Sequence, residues 1–429
     1  MDEGHLPATF RGQWAAITLA PCKSGGVIVC WFSLKGLTMK PVQTGIETLL
    51  AAPPPMLRGK RLGLLANAAS VAKGFQPTHI LIQTHFPGQL RALFSPQHGF
   101  FAEKQDNMVP SEDWTHPLLK VPVFSLYGQR TAPTDTMLEQ IDTLIVDLQD
   151  VGTRVYTFIY TMALCLQAAG SHGTQVVVLD RPNPLGGNHV EGNCLRPELT
   201  SFVGMYPIPM RHGLTIGELA LLFVGRFGIA CDVTVVPMSG WRRDMLFHDT
   251  GLTWIAPSPN LPTSTSALVY PGQVLWEGTN VSEGRGTTQP FEVFGAPFVG
   301  TADLQNYLHS QNLAGIHLRP LVFEPTSNKW TGRLCHGFQL HILDPARYRP
   351  YMTTLTILQA VVSLYPDRFQ WKPPPYEYEL EKMPFDMITG DRAIRQAMVD
   401  AVPVQDLEKT WQDDLEDFKD MRKAYLLYA

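Results

Sequence analysis

The densest chemistry in this chain lies between Glu277 and Pro297, in the stretch EGTNVSEGRGTTQPFEVFGAP. Two carboxylates, Glu277 and Glu283, and the Arg285 guanidinium alternate there with Gly278, Gly284 and Gly286. Such glycine density excludes a helix or a regular strand interior. It predicts a rigid loop that lets backbone and charge approach a ligand, the alternative being a solvated turn with a surface ion pair. Glycoside hydrolysis needs two carboxylates about one bond. One protonates the leaving oxygen and the other acts as base or nucleophile. Glu277, Glu283, Glu103, Asp150 and Asp180 are the candidate acids. His98, in the turn SPQHG, is either a support for that chemistry or a hydrogen-bonded core histidine. Arg154, Arg181, Arg211 and Arg285 together suit a ligand carboxylate or phosphate, bidentate geometry favouring carboxylate. Arg211 and His212 precede a helix start, where anions are attracted. Asn67, Gln97, Asn183, Asn260 and Asn280 complete the candidate binding set. Tyr156 and Trp276 either stack on a sugar ring or pack the core.

These residues need elements to position them. Apolar runs at 60–66, 90–95, 122–126, 142–148, 175–179 and 232–237 read as strands, and helical patterns at 46–52, 78–84, 134–140, 157–169 and 215–227 separate them. Continuous apolar strands alternating with helices predict an α/β fold, a parallel sheet covered on both faces. Ligands of such sheets bind beyond the carboxyl ends of the strands. Asn67, the SPQHG turn, Gln149 to Arg154 and Asp180 to Pro184 follow four of those ends. Beyond about residue 240 the texture changes, with strands at 316–323 and 337–343, helices at 352–365 and 391–398, and a charged helix at 404–423. The expected organisation is a sheet domain over 39–240 and a smaller α+β domain over 241–429, with the glycine-rich loop at 277–290. Residues 1–38 read as an extension, an over-long start ahead of Met39 or a disordered segment. The alternative is an export signal.

A chain of 429 residues, 45% apolar and 17% charged, has the composition of a globular protein. Its net charge of -5 argues against nucleic acid and against a polybasic membrane anchor. Six cysteines without a CxxC pair predict reduced thiols in a cytoplasmic protein. No Cys/His cluster has ligand spacing, so no metal is expected. No G-x-G-x-x-G, Walker A or G-x-S-x-G sequence is present, so the expectation is no nucleotide, no other cofactor and no serine nucleophile. Oligomeric state is not legible.

The ordered series SPQHG, SLYG, DLQDVGTRVYTFI, VVLDRPNPLGG, FVGMYPIPMRHGLTIGELA, PSPNLP and YPGQVLWEGTNVSEGRGTTQPFEVFGAP resembles the bacterial exo-β-N-acetylmuramidases of the NamZ type, over roughly residues 40 to 429. The resemblance implies a Rossmann-like N-terminal domain, a smaller C-terminal domain and an active site in the cleft between them. It implies release of terminal N-acetylmuramic acid from peptidoglycan fragments without metal or nucleotide, in cell-wall recycling. The lactyl carboxylate of that sugar would occupy Arg285 and Arg154. One position departs from the family pattern. The resemblance implies that many relatives carry Glu at the second place after Ser in the SPxHG turn, as favoured acid, and this chain carries Gln97. An amide is no carboxylic acid. Glu103 therefore becomes the expected general acid, with Glu283 or Glu277 as partner and His98 and Asp150 as supports. The alternatives are a muropeptide- or amino-sugar-binding protein without catalysis, or a hydrolase of another anionic small molecule.

Overall fold

The computed structural model describes residues 41–311 and 313–429, together with a pairing of Ala20–Pro21 on Val27–Ile28. The reading of residues 1–38 as an extension or signal otherwise falls outside the described residues. Seven strands form one sheet: β1 (Leu62–Ala66), β2 (Leu90–Ser95), β3 (Trp114–Thr115), β4 (Pro122–Ser125), β5 (Thr143–Asp147), β6 (Gln175–Leu179) and β7 (Val233–Val236). Their order is β7-β6-β5-β1-β2-β4-β3, all parallel except the edge strand β3. Winding reverses between β1 and β5, the doubly wound arrangement.

The side chains of each strand divide between two cores. Leu62 and Leu64 of β1, Ile145 of β5, and Val177 and Leu179 of β6 face one way. They pack under helices α1 (Gly45–Ala51) and α2 (Thr78–His85) through Ile46, Leu49 and Ile82. Leu65, Leu144, Val146, Val176 and Val178 face the other way, under α3 (Phe158–His172) and α4 (Ile216–Gly225). Burial on both faces is why the strands read as unbroken apolar runs. Helix α3 does not stop at Gly170 as its sequence suggests. It ends at Gly173 (φ 79°), and Gly170 is glycine because the Ala230 carbonyl lies 1.7 Å from where a Cβ would stand.

The second core is continuous with the C-terminal half. Strands β8 (Val293–Ala296), β9 (Ile316–Phe323) and β10 (Cys335–Ile342) form an antiparallel sheet in the order β8-β10-β9. Trp276 stacks on Phe294 at 5.2 Å and Phe294 on Phe338 at 5.8 Å, so Trp276 is a core residue and takes no part in sugar stacking. Residues 41–429 form one compact unit. The charged segment expected as one helix is two, Val404–Lys409 and Gln412–Arg422. Among the described residues no helix is long and apolar enough to cross a membrane.

Arg154 ties the two halves together. Its guanidinium is wholly buried and donates to the carbonyls of Asn193 and Ile208 on one side and Ile388 and Thr389 on the other. The expected sugar-carboxylate clamp is thus a structural bracket, because backbone oxygens already occupy its fork. Arg154→Met leaves those carbonyls buried without donors, each costing about 1–3 kcal/mol. Denaturant titration is expected to show a loss on the order of 3 kcal/mol or more. A variant of native stability with weakened ligand binding would restore the clamp.

Candidate active site

The site begins where β2 ends. His98 (φ 75°) and Gly99 (φ 86°) take consecutive left-handed conformations, which turns the chain sharply after Gln97. His98 Nδ1 lies 2.8 Å from the Lys104 carbonyl, so it carries the proton and leaves Nε2 as acceptor. Burial pushes this imidazole down to about 4, against the Lys104 bond, and Arg285 lowers it further. His98 is therefore neutral near pH 7. Gln97 Oε1 accepts from Thr157 Oγ1 at 2.6 Å, at the entry to α3.

The glycine-rich loop meets this turn. Helix α5 (Ser264–Gln273) runs into a 3-10 turn, Val274–Gly278, that carries Glu277. Gly284 (φ 81°) and Gly286 (φ 79°) are left-handed, and added Cβ atoms there would lie 2.6 Å from Val293 and 2.3 Å from Ser327. Both constraints fix glycine on each side of Arg285, whose fork turns back onto Glu277 with Nη2–Oε1 at 2.6 Å. Tyr376 Oη donates to the other oxygen of Glu277 at 2.6 Å. Glu283 receives Lys329 Nζ at 2.7 Å and stands 3.4 Å from Arg285 Nε. Lys329 also donates to the carbonyls of Trp276 and Val281. Burial raises the Glu277 carboxyl, but Arg285, the Tyr376 hydroxyl and Lys329 outweigh it and hold the group below its ordinary value.

A third carboxylate, Glu377, arrives from the C-terminal half. Its Oε2 accepts from Tyr127 Oη at 2.6 Å and its Oε1 from Gln97 Nε2 at 3.1 Å. Burial pushes Glu377 up to about 7, opposed by those two bonds and reinforced by the charge of Glu277. Glu277 and Glu377 are thus neighbouring acids driven apart in proton affinity, the pattern that separates acid from base in an active site.

Gln97, His98, Tyr156, Asn260, Tyr270, Glu277, Arg285 and Glu377 line an inner pocket. It shares Asn107, Glu277, Arg285 and Tyr376 with an outer pocket that Asp106, Glu283, Lys329 and Lys372 also line. Among the described residues Lys372 makes no ion pair, and its Nζ lies 5.7 Å from the Tyr376 ring centre.

The remaining expected residues are elsewhere. Glu103 is exposed, lines neither pocket, and accepts from the Phe101 amide at 3.0 Å. This removes the physical basis for Glu103 as general acid, since a solvated carboxylate capping its own turn cannot reach a bond held in the cleft. Asp150 lines neither pocket. It accepts from the Gly152 amide and lies 3.5 Å from His212 Nε2. Arg181 is paired with Asp147, and Arg211 is buried and donates to the Leu185 carbonyl. The anion at the α4 N-terminus is the chain's own Asp180, which accepts from the Gly217 amide and Thr215 Oγ1. Asn67 and Asn183 bind nearby backbone, and Asn280 bonds the backbone of Arg368 and Gln370. Glu377, Tyr376, Lys329 and Lys372 escape a sequence reading. The signal for the first two is the alternation Tyr376-Glu377-Tyr378-Glu379 directly after three prolines.

Comparison with known proteins bears on this arrangement. Family models described as exo-β-N-acetylmuramidase NamZ match residues 62–265 for the N-terminal part and 268–428 for the C-terminal part. The peptidoglycan β-N-acetylmuramidase NamZ of Bacillus subtilis (strain 168) is 44% identical over 387 residues, covering 90% of this chain and 91% of that protein. Crystal structures of two DUF1343 family proteins from Bacteroides fragilis NCTC 9343 superpose with TM-scores of 0.81 and 0.70. They are 34% and 30% identical, and each comparison covers 91% of this chain and 99% of the other. A sheet domain, an appended antiparallel sheet and an acidic cleft between them are here joined to sequence identity along nearly the whole described chain, and the chain belongs to the NamZ family.

Proposed function

We propose that this chain is an exo-acting glycoside hydrolase that releases terminal N-acetylmuramic acid from peptidoglycan fragments. The observation that carries this reading is Glu277, 5% exposed in the inner pocket yet held ionised by Arg285 and Tyr376. A carboxylate so fixed is suited to the positive charge that develops at the anomeric carbon when a glycosidic bond breaks. Tyr156 and Tyr270 line the same pocket, packed edge to face against each other. The family relationship supplies the sugar. The relative in Bacillus subtilis is named for peptidoglycan β-N-acetylmuramidase activity. Lys372 supplies the cation for its lactyl group, since Arg285 and Lys329 are already shared between Glu277 and Glu283. A place in cell-wall recycling, within the cytoplasm, accords with free thiols at Cys165, Cys194, Cys231 and Cys335.

A second reading has one observation in its favour. Gln97 stands where the resemblance implies a catalytic glutamate, which suits a protein that binds the amino sugar without cleaving it. Prolonged incubation with a chromogenic β-N-acetylmuraminide decides between them, because binding without product supports the second.

For the hydrolase, Glu277→Gln is expected to lower kcat by about 10³-fold or more with KM little changed. Loss of binding alone, with kcat intact, would place Glu277 outside the chemistry. Lys372→Met is expected to raise KM for the muraminide about 10- to 100-fold, the worth of one charged hydrogen bond, and to leave hydrolysis or binding of the matching glucosaminide unchanged. Equal effects on both sugars would remove Lys372 from carboxylate recognition.

A further inference from the structure

We propose that Glu377 is the general acid of this enzyme, placed by Gln97 and Tyr127 to protonate the glycosidic oxygen. The inference rests on the hydrolase reading above and names a residue that the reading leaves open.

Geometry supports it in three ways. Glu377 is 5% exposed and lines the same pocket as Glu277. Both its oxygens are located by side chains from elsewhere, Gln97 after β2 and Tyr127 after β4. Its backbone is also unusual. Tyr376 and Glu379 exchange backbone hydrogen bonds across a two-residue turn, with Glu377 at φ 47° and Tyr378 at φ 64°. Turns with two left-handed central residues normally use Gly, Asn or Asp. Strain of this kind persists where surrounding structure imposes it, and it clusters at active sites. One turn thereby performs two tasks: Tyr376 holds Glu277 ionised while Glu377 is delivered beside it.

The proton balance follows. Glu377 gives its proton to the bridging oxygen as the bond from the anomeric carbon breaks, and the electron pair leaves with the departing sugar. Water supplies hydroxide to the anomeric carbon, and its proton restores Glu377 by way of Glu277 or directly. The charged and titratable groups facing Glu377 are Tyr127, Tyr270, Glu277, Arg285, Tyr376 and Tyr378. Glu277 and Glu377 divide the labour, because the cations sit on Glu277 and Glu283.

Glu377→Gln keeps the size of the side chain and one acceptor oxygen but loses one of the two hydrogen bonds to Gln97 and Tyr127, so the comparison of leaving groups is what isolates the proton. The experiment compares kcat/KM on two β-muraminides, a saccharide whose leaving alcohol needs protonation and a 2,4-dinitrophenyl glycoside whose leaving group does not. The expected result is a loss of about 10²- to 10⁴-fold on the first and less than about 10-fold on the second, with disappearance of the basic limb of the pH profile. Equal losses on both substrates, or an unchanged basic limb, overturn the inference alone. Absence of wild-type turnover on either substrate overturns the hydrolase reading and this inference together. Thermal unfolding supplies an independent check. A carboxyl raised from 4.5 to about 7 in the folded protein stabilises it at acid pH and loses that contribution as pH climbs through that interval. The Gln variant is therefore expected to gain in melting temperature relative to wild type between pH 4.5 and pH 8. A constant difference across that range shows Glu377 to be titrating normally and also overturns the inference.

Discussion

Charge compensation in the acidic pocket is the constraint on which this molecule depends. Glu277 and Glu283 are buried with Arg285 and Lys329, and the pairs share partners, Arg285 reaching both acids and Lys329 reaching Glu283 and two carbonyls. Removing one member of such a group strands a buried charge, at a cost of about 3–5 kcal/mol. The cluster therefore stands or falls as a unit. Gly284 and Gly286 are its backbone counterpart, because only glycine lets the chain double back tightly enough to face Arg285 toward Glu277. Glu377 lies outside that neutralised set. Neutral donors alone hold it, and burial then dominates its proton affinity. Which acid keeps a proton is decided by where the cations sit.

The parallel sheet was legible because both its faces are buried. Leu62 to Ala66 and Val176 to Leu179 are apolar and buried at every position. The loop from Glu277 to Gly286 was legible for a related reason, since charges among glycines have few structural uses. The arginines after the strands were not. Arg154, Arg181 and Arg211 carry the residue type a ligand clamp requires, yet each is used by the fold. A sequence does not reveal which carbonyls or carboxylates will meet a guanidinium, and long-range closure of the chain decides that. Glu377 was hidden for the same reason. It meets Gln97 across 280 positions of sequence. Glu103, only six positions from Gln97, invited assignment by proximity along the chain, and the turn carries it outward to solvent.

The site also departs from the usual geography of its sheet. Doubly wound sheets place ligands at the crevice where winding reverses, here between β1 and β5. That crevice exists, lined by Ala69, Gln149 and Arg181, but Asp147 engages Arg181 there and no acid lines it. The acidic pocket lies one strand over, beyond β2, where the C-terminal half can reach. Aromatic packing explains the displacement. Trp276 beside Glu277 is anchored on Phe294 of the second sheet, so the loop's position follows from the antiparallel sheet and not from the crevice.

Gln97 is then best understood through its hydrogen bonds. With glutamate at that position, two buried carboxyls would face each other near Tyr127, and like charges at such range force one to stay protonated. The proton would be shared, and either residue would serve as acid. An amide resolves that ambiguity. Its N–H always donates, so it binds the Oε1 of Glu377 in either protonation state, while Thr157 fixes the amide's orientation by donating to its carbonyl. Proton exchange is thereby confined to a single carboxyl. Gln97, which argues against catalysis when read in isolation, is in its surroundings a fixed donor to the one buried carboxyl beside it.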